Sequence, residues 1–272
     1  AVAGGYTGVA PMPNTNPICD NKVVVEYIKL KAREAGMAKL YPIGAVTKGE
    51  LGTELAGIGS MYNCGIVAVS DDGKPVMNSM IAKRAFEYIK MFDIPLICHA
   101  EDEHLAAGGA MNYGEVSIRL GIPGIPNEAE DIIVGRDIIL AEAVKSRLHI
   151  AHASTEGTLR MVKEAKARGV NITVEVAPHH FSLTDEEVEK QNYNTYTKVN
   201  PPLRVQKEVD AIIGAIKDGT VDIIATDHAP HTLEEKQNKY FKAPSGGPLV
   251  QHSLVAMLEL VKKGIFSLET VV

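Results

Sequence analysis

Seven short apolar runs recur along the 272-residue chain: "YTGVAPM" (6–12), "LYPIGAV" (40–46), "GIVAVS" (65–70), "IPLICHA" (94–100), "LHIAHAS" (148–154), "NITVEVAP" (171–178) and "VDIIATD" (221–227). They are continuous rather than alternating, the pattern of strands covered on both faces. Most of the intervening segments place apolar residues three or four apart, as in "EGTLRMVKEAKARG" (156–169), where Gly169 makes a helix stop. Repeated strand-then-helix order predicts right-handed crossovers and a parallel sheet, hence an α/β fold.

Two parallel architectures satisfy this pattern, an open doubly wound sheet and a closed (β/α)8 barrel. Polar clusters stand at the C-terminal end of nearly every run. In a barrel those ends share one rim, so residues distant in sequence converge. Seven strands fit a barrel lacking its first stave. The opening "AVAGGYTGVA" reads as a helix end entering a strand, and "GIFSLETVV" as the start of another helix. Both ends are therefore expected to be cuts through a longer protein. With no repeat or linker, residues 1–272 are expected to form a single catalytic barrel domain. The long stretches 101–127 and 231–247 are candidate functional loops.

Composition narrows the function classes. The chain is 45% hydrophobic and 23% charged, with a net charge of −6. That balance gives no electrostatic reason to expect nucleic acid or an anionic membrane as partner. No stretch approaches the roughly 18 continuous apolar residues of a membrane span. Cys19, Cys64 and Cys98 show no metal-like pairing and read as buried thiols in a reducing, cytoplasmic compartment.

The chemistry lies at the strand tips. Asp71-Asp72-Gly73 follows one strand, His99 ends another, His152 a third, His179-His180 a fourth, and Asp227 the last, with His228 and His231 just beyond. Imidazole and carboxylate ligands from separate strands make a hydrolytic metal site. Zinc suits that donor set, and manganese, iron or cobalt are compatible with it. Each tip also has a bland reading. A lone strand-end histidine is more often a hydrogen-bonding group, the reading preferred for His149, His104 and His252. His179 and His180 are evenly balanced. The acidic pair alone is most often a turn in which Gly73 supplies the positive φ. Alternation turns Cys98 away from His99. The joint pattern of tips favours a metal site, while the residues alone do not choose between Asp71 and Asp72.

"MPNTNP" (12–17), "SDDGKPV" (70–76), "CHAED" (98–102), "HIAHAST" (149–155), "EVAPHH" (175–180), "NPPLR" (200–204) and "TDHAPH" (226–231) resemble the dihydroorotases of the amidohydrolase superfamily, in the bacterial type with a bridging aspartate. The similarity runs in order along nearly the whole chain. It implies a metal-dependent (β/α)8 barrel that interconverts N-carbamoyl-L-aspartate and L-dihydroorotate in pyrimidine synthesis. By that resemblance His99 and His152 hold one metal, Asp72 bridges two, and Asp227 binds the other and serves as general base and acid. Asn14, Asn200 and His231 bind substrate, with backbone groups near Ser245 and Gly246. His228 is assigned a structural role. Two Zn2+ ions are implied for an intact site.

The family's first strand carries His-x-His followed by an arginine, which would lie before Ala1. A small β domain built from both family termini is likewise expected outside this chain. Dihydropyrimidinase or allantoinase is the alternative, but those relatives bridge their metals with a carboxylated lysine, and "GIVAVSDDG" has none before its acidic pair. A non-catalytic subunit supporting aspartate transcarbamoylase ranks third. A homo-oligomer and association with aspartate transcarbamoylase are expected partners besides the small-molecule substrate.

Overall fold

A computed structural model describes residues 1–271. Its strands, in chain order, are β1 (Gly8–Val9), β2 (Lys39–Leu40), β3 (Ile43–Ala45), β4 (Ala68–Ser70), β5 (Leu96–Cys98), β6 (Met111–Asn112), β7 (Gly124–Ile125), β8 (Leu148–Ile150), β9 (Ile172–Val176) and β10 (Ile223–Ile224). Six form one sheet in the order β10-β9-β8-β5-β4-β3. Each pair with a recorded register in this sheet is parallel. The helices Ser79–Ile89, Glu128–Val144, Glu156–Ala167 and Gln206–Lys217 supply the crossovers. The α/β parallel class expected from the runs is thus the observed one.

The chain divides into two compact units. The first comprises Ala1–Glu101, Ile133–Ala151 and Glu164–Thr173. Its strands β3, β4, β5 and β8 are short and largely buried, with Val46, Val69 and Ile150 fully enclosed. The expected single strand over 40–46 is instead two. Pro42, which has no N–H to donate, separates β2 from β3. β2 pairs with β1, and the Tyr41 and Ile43 amides continue that ladder to the carbonyls of Val9 and Pro11.

The second unit comprises Asp102–Ile132, His152–Lys163 and the residues from Val174 onward. The stretch 101–127 is more ordered than a loop. Met111–Asn112 pairs in parallel with Gly124–Ile125, and Ala110, Met111, Val116 and Ile122 pack with Val188 and Tyr240 in a core of their own. β10 departs from expectation. The run 221–227 reads as buried on both faces, yet Ile223 is 49% exposed. β10 stands at the end of the sheet beside β9, where a barrel lacking its first stave puts its last strand.

The helix Glu156–Ala167 ends as the sequence predicts, with Gly169 at φ 82°. Residue 50 departs from the usual rule that only glycine takes such angles. Glu50 sits at φ 53° and is 4% exposed. Burial pushes its carboxyl up to about 7, and the nearby Asp71, Asp72 and Asp20 carboxylates add to the rise. A carboxyl with a folded value above its unfolded one stabilises the fold at low pH, and that contribution is lost as pH rises through about 7. Replacing Glu50 by Gln should therefore raise the melting temperature near pH 8 relative to the parent chain, with a smaller gain near pH 5. Thermal melts at both values check this; an equal gain at both would contradict it.

Candidate metal centre

Ligand placement begins with strand register. Ser70 on β4 faces Ile97 on β5, and Cys98 on β5 faces Ile150 on β8. Carrying the first pairing two residues onward sets Asp72 level with His99. Carrying the second one residue onward sets His99 level with Ala151, next to His152. The Ala151 amide does bond the Cys98 carbonyl, so the ladder reaches that far.

The side chains meet where the register places the backbones. Asp72 Oδ1 lies 3.8 Å from His99 Nδ1. Asp72, His99 and His152 each offer a ligand atom, and these atoms lie within 4.8 Å of one another. Both histidines are buried and Asp72 is half-buried. Among the described residues this is the cluster whose donors could hold a metal ion. Two imidazoles and a carboxylate are a donor set that suits zinc.

The structure separates the two aspartates that the residues alone leave open. The Asp71 carboxylate accepts the Val46 amide at 2.8 Å, the Thr47 amide at 3.0 Å and the Thr47 hydroxyl. Burial nevertheless pushes it up to about 6. Asp71 thus anchors the turn after β3, and Asp72 is left facing His99. Gly73, at φ 78°, turns the chain as expected. Alternation also disposes of Cys98, whose thiol donates to Asp137 Oδ2 at 3.0 Å.

His152 and Asp227 share a backbone feature that the sequence does not announce. Both take positive φ, 33° and 48°. Such angles in a residue with a Cβ cost about 1–3 kcal/mol and concentrate at functional positions. Asp227 Oδ2 lies 3.7 Å from His179 Nε2. Burial, with His180 and His152 beside it, holds the His179 imidazole well below the usual histidine range and so neutral. Among the described residues neither His179 ring nitrogen has a hydrogen-bond partner, although both are buried. The two histidines differ in surroundings: His180 Nε2 bonds the Pro201 carbonyl at 2.8 Å, while His179 faces Asp227. A tandem His-His at a strand end was the available signal for His179, and it could not say which ring faces the site.

The remaining candidates fall into two groups. Asn14 Nδ2 is 3.4 Å from both the backbone oxygen and Oδ2 of Asp72. Asn200 Oδ1 is buried with no hydrogen-bond partner among the described residues. His231 Nε2 lies 2.9 Å from the Ser245 carbonyl, which brings His231, Ser245 and Gly246 together. Gly246 takes φ 117°, and a Cβ there would lie 2.5 Å from the Ala229 carbonyl, so glycine is required. The bland readings fit the other histidines. His149 pairs with the Thr173 hydroxyl, His228 accepts the Val250 amide, and His104 and His252 are exposed at helix starts.

A family described as dihydro-orotase-like matches residues 1–158. Dihydroorotase from Acetivibrio thermocellus is 50% identical over 273 residues, covering 100% of this chain. That from Pelotomaculum thermopropionicum is 51% identical over 268 residues, covering 98%. The chain belongs to the dihydro-orotase-like family. It spans 64% and 62% of those two relatives' lengths. Among solved structures, L-hydantoinase (dihydropyrimidinase) from Arthrobacter aurescens superposes with a TM-score of 0.82 at 22% identity, over 99% of this chain and 61% of that one. Dihydroorotase from Saccharomyces cerevisiae, in complex with 5-fluoroorotic acid, gives 0.77 at 16% identity, over 99% and 74%. Those likenesses show that this dihydro-orotase-like chain shares the TIM-barrel fold of those proteins.

If the cluster holds metal, His99→Ala and His152→Ala should each bind Zn2+ at least tenfold more weakly than the parent, with similar melting temperatures in the metal-free state. Isothermal titration of Zn2+ into each variant checks this. Parental affinity in both would remove the two histidines from the ligand set.

Proposed function

We propose that this chain carries the catalytic domain of a dihydroorotase, which interconverts N-carbamoyl-L-aspartate and L-dihydroorotate in pyrimidine synthesis. The observation that carries the reading is the convergence of Asp72, His99 and His152, in a chain half identical to curated dihydroorotases along its whole length. In this reading His99, His152 and Asp72 would hold a divalent ion, zinc by donor type, and Asp227 would serve as a further carboxylate ligand. Bound there, the metal supplies Lewis-acid polarisation of the ring amide carbonyl and makes the attacking water more acidic.

The chain's own groups supply the rest. Asp227, presented on a left-handed turn beyond β10, takes the proton of the attacking water and passes it to the departing ring nitrogen. His179 lies 3.7 Å from the Asp227 carboxylate, and burial keeps its imidazole neutral, so it brings no positive charge to that carboxylate. Asn200 Oδ1, buried without a partner, is an acceptor suited to a substrate N–H. Asn14, His231 and the backbone at Ser245 and Gly246 orient the substrate, including its carboxylate. The carboxylate of the Asp227 side chain and the imidazole of His231 thus have separable duties.

The alternative cyclic-amide hydrolases are not favoured. The hydantoinases share the fold at about one-fifth identity, whereas the curated relatives near 50% are dihydroorotases. No described helix is long and apolar enough to cross a membrane. Self-association, contact with aspartate transcarbamoylase and a cytoplasmic setting belong to this proposal as properties of the whole protein.

The test compares two variants of the full-length protein in dihydroorotate hydrolysis. Asp227→Asn keeps the side-chain shape and should lose more than the roughly 10²–10⁴-fold typical of general acid–base catalysis alone. His231→Ala should keep its metal content and raise KM instead. Near-parental turnover in Asp227→Asn, or metal loss confined to His231→Ala, would overturn the assignment of roles.

A further inference from the structure

We infer that Glu130 is a positioning residue for His152: a buried carboxylate that fixes the segment carrying this ligand. The inference rests on the reading of His152 as a metal ligand.

His152 leaves β8 with φ at 33°, an angle that a residue with a Cβ keeps only when its surroundings impose it. The next residues show what imposes it. The Ala153 amide bonds the Glu175 carbonyl at 2.9 Å. The Ser154 amide donates to both Glu130 oxygens, at 3.0 and 3.3 Å, and the Ser154 hydroxyl donates to Oε2. The Thr155 hydroxyl lies 3.2 Å from Glu130 Oε1 and 2.6 Å from Asp131 Oδ1. The Glu156 amide donates to Glu208. Every polar group along 153–156 that these contacts involve is thus committed to a fixed partner.

Arg204 closes the arrangement. Its Nε donates to Ser154 Oγ at 3.0 Å, and its Nη2 lies 3.8 Å from Glu130 Oε2. Its Nη1 donates to Asn112 Oδ1 and to the Ile125 carbonyl. Glu130, Ser154 and Arg204 are 3%, 0% and 1% exposed. Burying such a pair is a poor way to gain stability, since apolar side chains of the same volume often serve as well or better. What the carboxylate adds is direction. It stands on the rigid helix Glu128–Val144 and accepts from two successive residues, and so defines where the backbone stands two residues after His152. Groups that orient metal ligands from behind typically contribute about 10–100-fold in metal affinity.

The experiment measures Zn2+ affinity of the full chain by competition with a chromophoric chelator, the visible spectrum of the Co2+ form, and the urea midpoint of the metal-free protein. Glu130→Gln keeps the shape but places an amide donor against the Ser154 and Arg204 donors. It should weaken Zn2+ by about 10–100-fold and alter the Co2+ spectrum. Ser154→Ala should shift both in the same direction by less. If Glu130→Gln fails to fold, Ser154→Ala carries the test alone. A lowered urea midpoint with parental Zn2+ affinity and Co2+ spectrum would show a merely structural role and overturn the inference. His152→Ala is the control: parental Zn2+ affinity there would overturn the reading of His152 itself, whereas lost affinity there with parental affinity in the other variants would sink the positioning role alone.

Discussion

The site depends on the hydrogen-bond register of three neighbouring parallel strands, β4, β5 and β8. Backbone N–H and C=O groups in a buried sheet must be paired, which locks the register in place. With Ser70 against Ile97 and Cys98 against Ile150, the residues just past each strand arrive at one level. Alternation then decides which side chain faces the site. A one-residue slip in β4 would present Asp71 in place of Asp72, and a slip in β5 would present Cys98 in place of His99. Both would-be substitutes are occupied elsewhere, Asp71 by Val46 and Thr47 and Cys98 by Asp137. The donor set is thus specified twice, by the residues turned toward it and by those held away.

Register alone does not complete the site. His152 and Asp227 lie beyond their ladders and take left-handed backbone angles. Each such angle has an energetic cost of about 1–3 kcal/mol, offset by contacts around it. At His152 those contacts are the carboxylates of Glu130, Asp131 and Glu208 with the Arg204 guanidinium. At Ser245 and Gly246 two buried lysines do comparable work. Lys236 donates to the Pro244 and Gly246 carbonyls, and Lys198 to those of Phe241 and Ala243. Burial lowers both ammonium groups from their ordinary value, and for Lys236 the result is about 8. Both loop segments are therefore tied down by buried charged side chains.

Much of this was legible in the sequence because strand and helix periods, and the order of polar tips, are local signals. The runs at 65–70, 94–100, 148–154 and 171–178 each contain an observed strand. Asp72, His99 and His152 could be nominated because each stands at the end of an apolar run. What stayed hidden was relational. No local pattern told Asp71 from Asp72, since the choice depends on Thr47, 24 residues away. Nor could the sequence separate His179 from His180, because the Pro201 carbonyl that occupies His180 comes 21 residues later. The strand split at Pro42 was readable in principle from proline's missing donor. The half-exposed β10 was not, because the same apolar letters serve a strand covered on both faces and one left half open.

The central claim is that Asp72, His99 and His152 bind one metal ion. X-ray diffraction from Zn2+-soaked crystals, recorded on both sides of the zinc absorption edge, tests it most directly. The account predicts an anomalous peak within about 2.0–2.2 Å of one atom from each of the three side chains. A protein saturated with zinc that shows no peak there, or a peak bonded to other residues, would contradict it.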